Sequence, residues 1–561
     1  MTDFLYSIEL KDFSTFKIES NDYSQKIILS DDREIIYFFC DSIIDPLMMG
    51  KIKFGEISQW IVDNIKGHFY FIAKVNENLL IGNSQFAILP LYYAFNNGVF
   101  LISNKTNLIA EKLKSKTLNN RFILENVLFN YQLFNETAYK EIKLLPSNSY
   151  IKVENNNFSI NPLKPIEDYF LSQPKPWKES VDSISDYFIE KSKIYFPNEE
   201  FAASLTGGFD GRTLVALGKF HKNHFSTYSF GSRDSSDFKI AKSLSSALKI
   251  DFIPFYLDEN YYKKSLELGL EFISNSEGNA GFARAHYLFA TKALSDRYKY
   301  IITGNFGSEI FRAAHIAGIV ISPNLYNIFT SKNVEEAILK IKSSSSYKYL
   351  NPQQFDNEWE DLKSDLASLP IFDEKYSHLD LNQKFYKFVF EEILRKYFGP
   401  ELVNQYNYIT NRTPFLDFDF LKEILKTELS GVYSDFFTNN PLKRFKGQVV
   451  YGHILKKTNN ILFTEYTDKG YRPADLLSFW GKLNITKSFI KKRVQINNKS
   501  FDPYGVQTAF IQNLDFWNNL RDDTNLINMD FVKSKMDEKH LSDSLGIVLS
   551  QLWYINQLNR K

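Results

Sequence analysis

The sequence predicts an α/β protein built in two parts, and three observations carry that expectation. The chain has 561 residues, more than one hydrophobic core organises. Residues 1 to about 165 read as short strands punctuated by turns. After Pro176 strands alternate with helices, the pattern of a parallel sheet with helices on both faces. A hydrophobic fraction of 44%, with 16% aromatic, is ample for such cores and argues against disorder over most of the length.

Taken in order, GHFYFIAKV (67–75) and NLLIGNS (78–84) alternate or run apolar at strand length, and NNG (96–98) marks a hairpin turn. ENNNFSI (154–160) gives another turn. Pro162, Pro165, Pro174 and Pro176 then cluster in a polar stretch that reads as a linker, so the parts are placed at 1–165 and 175–561. Beyond it, WKESVDSISDYFIEKSKIYF has helical spacing and FAASL is a short buried strand. TLVALGKF opens a helix, STYSFG is a strand, DFKIAKSLSSALK a helix and DFIPFYL a strand; HYLFATKALS is a helix and KYIITG a strand. From about residue 325 the pattern is mostly helical. The tail, ending LSDSLGIVLSQLWYINQL, has apolar spacing suited to packing on the second part or on a partner subunit, which leaves a homodimer open.

The totals exclude some function classes. With 67 Lys+Arg against 66 Asp+Glu, there is no bulk electrostatic reason to expect a nucleic-acid or membrane partner. KSFIKKR (487–493) reads as a solvated helix face. A single cysteine, Cys40, allows no intramolecular disulfide and no multi-cysteine metal site, and IIYFFCDSII places it as a buried, inert thiol. No apolar stretch reaches membrane-spanning length and MTDFLYSIEL lacks a signal-peptide pattern, so the expected location is the cytoplasm. His221 and His224 lie close together without carboxylates around them, as a surface loop would place them rather than a zinc site.

One corner concentrates chemistry: FAASLTGGFDGRTLVALGKF (201–220), where Thr206, Gly207, Gly208, Phe209, Asp210, Gly211 and Arg212 separate a strand from a helix. Main-chain N–H groups bare of side chains at Gly207 and Gly208 would form an anion-binding concavity, with Thr206 adding a hydroxyl. Asp210 suits such a site if Mg²⁺ bridges it to phosphate oxygens, and Arg212 adds positive charge. The alternative is a turn that needs glycine for its backbone angles alone. The corner matches neither a P-loop nor a dinucleotide fingerprint.

SLTGGFDGR instead resembles the S-G-G-x-D-S pyrophosphate loop of the ATP pyrophosphatases, and of the asparagine synthetase family in particular. Other segments resemble that family in order. STYSFG (226–231) looks like its T-F-S-I-G strand, and SSDFKIAKSLSSALKI like the acidic residue and helix after it. ITGNFGSEIF (302–311) resembles S-G-E-G-x-D-E-L-F, RTPFLDFDFL (412–421) resembles R-V-P-F-L-D-x-x-L-V, and TDKGYRP (467–473) resembles the K-x-G-F stretch. The first part follows G-x-F-A-F…P-L-Y-Y, so the likeness runs over roughly residues 60 to 475.

The resemblance implies an N-terminal-nucleophile (Ntn) hydrolase-like αββα sandwich, followed by a doubly wound parallel-sheet domain of the ATP-pyrophosphatase (adenine nucleotide α-hydrolase-like) type with helical additions. It implies ATP and Mg²⁺ as cofactors, a carboxylate activated as an acyl-adenylate, and a small-molecule or peptide amine as acceptor. Ser204, Leu205, Thr206, Gly207, Gly208, Asp210, Gly211 and Arg212 would hold the nucleotide, with Asp210 on the metal. Main chain at Tyr228, Ser229 and Phe230 would meet adenine, Gly304 and Asn305 would border the site, and Lys469 and Glu309 would be catalytic. Departures are equally specific. Asn305 and Ser308 stand where asparagine synthetase has glutamate and aspartate, Thr410 replaces a glutamate before Arg412, and Asp468 falls at the lysine position with Lys469 beside it. Two outcomes follow: a ligase with a different amine acceptor, or a catalytically inactive scaffold that binds nucleotide or nothing. A tRNA-modifying activity is disfavoured by the near-zero net charge and the lone cysteine.

Other groups have two readings each. Lys443, Arg444 and Lys446 would face pyrophosphate or solvent; Arg284 and His286 would line the acceptor-carboxylate pocket or be structural; Tyr471 would pack. In the first part Thr2 follows Met1 where the family has its cysteine nucleophile, and Asn83-Ser84 replaces its Arg-Asp pair. The chain is therefore expected to release no glutamate from glutamine above background; clear glutamate release in a hydrolysis assay would overturn this.

Overall fold

The computed structural model describes residues 3–9, 24–28, 34–45, 56–96, 98–154, 157–311, 322–434, 437, 446–495, 502 and 504–560. Its N-terminal part holds two antiparallel sheets. One has four strands in the order β1 (Leu5–Glu9), β7 (Val99–Ser103), β6 (Tyr92–Asn96), β8 (Lys143–Leu144). The other has six, in the order β10 (Asn157–Pro162), β9 (Ser149–Glu154), β5 (Asn78–Asn83), β4 (Phe69–Val75), β3 (Ile35–Cys40), β2 (Gln25–Ile28). Every side chain of FYFIA in β4 is buried, because the strand is covered on both faces. Phe69, Phe71 and Ala73 pack on Trp60 and Ile61 of the helix Ile57–Asn64, while Tyr70 and Ile72 turn the other way toward Phe100 and Ile102 of the second sheet. That sheet's far face, with Leu101 and Ala94, is closed by Ile109 of the helix Thr106–Ala110. The result is four layers, helix–sheet–sheet–helix. Gly98, at φ +83°, takes the left-handed conformation the NNG hairpin requires.

The second part is centred on a five-stranded parallel sheet in the order β13 (Phe252–Tyr256), β12 (Phe225–Gly231), β11 (Phe201–Ser204), β14 (Tyr300–Ile302), β15 (Thr410–Arg412). The chain winds outward from β11 through the helices Asp210–Phe220 and Ser236–Leu248, then returns past β11 to β14. Four of these strands were legible as apolar runs. The fifth falls within the stretch read as mostly helical after residue 325: it is three residues long, Thr-Asn-Arg, and forms only because β14 offers an edge in register. The mixed α/β class, with one parallel and two antiparallel sheets, stands.

The two parts are joined by more than the proline-rich stretch. Phe86 stacks on Phe390 at 5.5 Å, and the same core runs through both parts. Arg412 makes a two-pronged ion pair with Asp41, 2.9 Å at each end and mostly buried. Lys396 donates to the carbonyls of Leu133 and Phe134 at 2.7 and 2.8 Å. The tail helix Asp543–Arg560 packs across the helix Asn120–Phe129, and its Tyr554 hydroxyl donates to Glu277 at 3.2 Å. The tail therefore bridges the two parts of one chain. Cys40 has its thiol pushed up to about 12 by burial, which leaves it a poor nucleophile.

His68 sits at the same junction, 4% exposed, with Nε2 2.8 Å from the Thr413 hydroxyl. Burial pushes its imidazole down to about 4, against about 6.5 in an unfolded chain, so it is neutral at pH 7. Between those values the unfolded state takes up the proton and the folded state does not. Stability from this group is complete above about pH 6.5 and is lost as pH falls through about 4, at most about 3 kcal/mol. Thermal unfolding between pH 7 and 4 should therefore show a steeper loss for the native chain than for His68→Gln.

Candidate functional site

The turn after β11 lies where the strand order reverses, with β12 on one side and β14 on the other. Ligands of open α/β sheets bind outside this point, at the carboxyl ends of the strands. Ser204 and Leu205 finish the strand, and the Leu205 amide still donates to the Tyr228 carbonyl at 2.9 Å. The chain then turns at Thr206, which is exposed, and enters the helix Asp210–Phe220.

Three distant segments converge on this turn. Gly304, after β14, lies against the helix start: a Cβ there would fall 2.6 Å from the Asp210 Cβ and 2.9 Å from the Gly211 amide nitrogen. The Asp210 carboxylate accepts hydrogen bonds from the Ser308 hydroxyl at 2.8 Å and from the Tyr451 hydroxyl. From the C-terminal side, the Asp468 amide donates to the Gly207 carbonyl at 3.2 Å, and Lys469 stands 5.3 Å from the Phe209 ring centre. Gly207 is needed because of this crowding; a Cβ would meet Asp237 Oδ1 at 2.7 Å and Asp468 Cβ at 2.8 Å.

Two expectations for the loop are corrected. The amides of Gly207 and Gly208 do not form an open cradle. Gly207 N–H donates to Asp237 Oδ1 at 3.1 Å, and Gly208 N–H to Thr206 Oγ1 at 3.2 Å. Asp237, in the first turn of the helix Ser236–Leu248, sets a carboxylate where a phosphate oxygen was expected. Nor does Arg212 face a ligand. It is fully buried, donating to the carbonyls of Glu465 at 2.7 Å, Tyr466 at 2.8 Å and Leu462 at 3.2 Å. Burial pushes its guanidinium down to about 10 despite the nearby Asp468 and Glu465.

The remaining candidates divide by position. Tyr228 and Ser229 are buried within the ladder between β11 and β13, and Phe230 alone of the three reaches the rim. Its ring lies 5.1 Å from His286, 5.3 Å from Tyr287 and 6.1 Å from Tyr504, and His286 stacks on Tyr504 at 4.8 Å. Burial and Arg284 push His286 down to about 3, so this wall is uncharged. Asn305 donates to Glu401 at 3.3 Å, and Glu401 pairs with Arg284 at 2.9 Å. Burial raises the Glu401 carboxyl, opposed by Arg284 and then Asn305. Arg284 is thus partnered inside the protein. Glu309 is half-buried on the helix Gly307–Phe311, and its carbonyl accepts from Tyr386 at 3.1 Å. Lys446 pairs with Glu428 at 3.1 Å, and Tyr471 is buried with its hydroxyl 3.2 Å from Gln448 Oε1. Lys443, Arg444 and Thr2 lie outside the described residues.

Tyr451, Glu401 and Tyr504 were not nominated from sequence, and Asp237 entered there only as the acidic residue ahead of the helix after STYSFG. Asp237 resembles an ordinary acid of a helix first turn, and the other three have no local signature at all. Among the described residues no group of three or more His, Cys, Asp or Glu side chains is placed to hold a metal. Asp210 still fits Mg²⁺ chemistry. Each carboxylate oxygen has a second lone pair beyond its hydroxyl donor, and Mg²⁺ bound with phosphates needs only one or two protein carboxylates.

Arg212→Ala should lower the unfolding free energy by about 3 kcal/mol or more, since a fully buried side chain is removed from its three carbonyl acceptors and leaves a cavity. Chemical denaturation measures this; a ligand-facing arginine would cost little stability when removed.

No family model matches this sequence. No curated protein matches it either. Among solved structures, the chain has a weak likeness to glutamine phosphoribosylpyrophosphate (PRPP) amidotransferase from B. subtilis complexed with ADP and GMP. It covers 40% of this chain and 47% of that one, at 6% identity and a TM-score of 0.15. A likeness of that size carries no argument about fold, ligand or activity.

Proposed function

We propose that the chain is an ATP-dependent carbon–nitrogen ligase on the asparagine synthetase plan, without glutaminase action. The observation that carries this reading is the convergence on one corner of segments up to about 260 residues apart. Ser308 reaches Asp210, Gly304 abuts the amide of Gly211, and the amide of Asp468 reaches Gly207. These are three of the segments whose sequences resemble that family. In this reading a carboxylate oxygen attacks the α-phosphorus of ATP and pyrophosphate leaves; an amine then attacks the acyl carbon and AMP leaves. Thr206, Gly208 and Asp210 with Mg²⁺ would hold the phosphates, Phe230 with His286 and Tyr504 would flank the base, and Lys469 and Glu309 border the reacting end. ATP would have to displace Asp237 from Gly207.

A second reading is favoured by that same contact: a scaffold whose loop is capped by its own carboxylate, binding nucleotide without turnover. Pyrophosphate release with ATP·Mg²⁺, candidate carboxylates and amines separates the two. The ligase reading expects metal-dependent release that Asp210→Ala abolishes while the fold persists. Nucleotide-raised melting temperature with no pyrophosphate from any substrate pair would replace it with the scaffold.

A further inference from the structure

The helix Phe479–Gln495 is inverted relative to an ordinary surface helix. Gly481, Ile485 and Ser488 face the protein: a Cβ on Gly481 would fall 2.2 Å from the Asp475 carbonyl, Ile485 is buried, and the Ser488 hydroxyl donates to the Gly470 carbonyl at 2.8 Å. The outward side carries large apolar groups. Phe479 and Trp480 are each 74% exposed, Ile490 60% and Leu483 46%. At helical spacing these four fall within about 100° of one another. Other exposed large apolar side chains of the described residues are spread over many elements, so this ridge stands apart.

Charge on the same helix is one-sided. FWGKLNITKSFIKKRVQ contains Lys482, Lys487, Lys491, Lys492 and Arg493 and no Asp or Glu, within a chain whose net charge is +1. An apolar ridge led by Phe and Trp, on a helix with only basic charge, is the composition of a segment lying in the interface of an anionic bilayer. No described helix is long and apolar enough to cross a membrane, so the contact would be peripheral. We propose that the helix Phe479–Gln495 docks this protein on an anionic lipid surface, with Phe479, Trp480, Leu483 and Ile490 inserted below the headgroups. The near-neutral total conceals this local excess, which is why composition gave no reason to expect a membrane partner.

Co-sedimentation of the full chain with phosphatidylcholine vesicles, with and without about 30% phosphatidylserine, tests the proposal. The chain should pellet with the anionic vesicles and stay in solution with neutral ones. Phe479→Ser/Trp480→Ser and Lys482→Glu/Lys487→Glu should each weaken pelleting about tenfold or more. Both double variants change exposed groups, so their melting temperatures should match the native chain's, which separates lost docking from lost folding. Equal pelleting with both vesicle types, no pelleting with either, or pelleting indifferent to both variants overturns the proposal. So does a dimer in size-exclusion chromatography that the aromatic variant dissociates, or binding to an acidic protein surface with none to vesicles.

Discussion

Arg212 is the constraint on which the candidate site depends. A guanidinium out of water must have acceptors around it, because an unmatched buried cation costs several kcal/mol. Here the acceptors are main-chain carbonyls of Leu462, Glu465 and Tyr466, about 250 residues away in sequence. Meeting that requirement draws the segment at the end of the helix Asn460–Thr464 onto the glycine turn, and residues 467–471 follow it over the loop. Asp468 then reaches Gly207, and Lys469 comes beside Phe209. The residue that looked like a phosphate ligand acts instead as the fastener for a lid of chain.

This explains which features could be read in advance. The strands of the first part were legible because a period of two, with both faces covered, leaves near-continuous apolar runs such as FYFIA. The strand–helix alternation after Pro176 was legible for the same local reason. β15 was not, since Thr-Asn-Arg has no pattern of its own and is a strand only by pairing with β14. Arg212 was misjudged, and the contact Asp237 makes was not foreseen, for a shared reason. Each sits at a helix start, where local rules give a charge its meaning through solvent or a ligand. Their actual partners, carbonyls near residue 465 and the Gly207 amide, arrive through tertiary closure that no window of sequence contains.

The first part matters physically to the parallel sheet. Asp41 holds Arg412 at the end of β15, and His68 meets Thr413 one residue later, so the N-terminal sheets fix the outer edge of the parallel sheet. Lys396 and Arg395 lock the π-helix Val389–Phe398 to the carbonyls of Leu133, Phe134 and Leu145. That helix leads directly into Gly399–Tyr406, which carries Glu401 to Arg284 and Asn305. The first part is therefore structurally required by the second, because removing it would expose a shared core and unpair buried charges.

Electrostatics sets what the corner can accept. Arg212 is withdrawn among main-chain carbonyls and Arg284 is committed to Glu401, while the carboxylates of Asp210 and Asp237 stand at the turn itself. On the ligase reading a bare polyphosphate would meet repulsion there, whereas one carrying a divalent cation would bring its own positive charge to Asp210. The Asp237 contact works in the same direction. The Asp237 carboxylate satisfies the Gly207 amide, and on the ligase reading a phosphate would take its place only if the released carboxylate found water or metal. On the ligase reading, the carboxylates of Asp237 and Asp210 together would make the entry of a nucleotide at this turn depend on a metal.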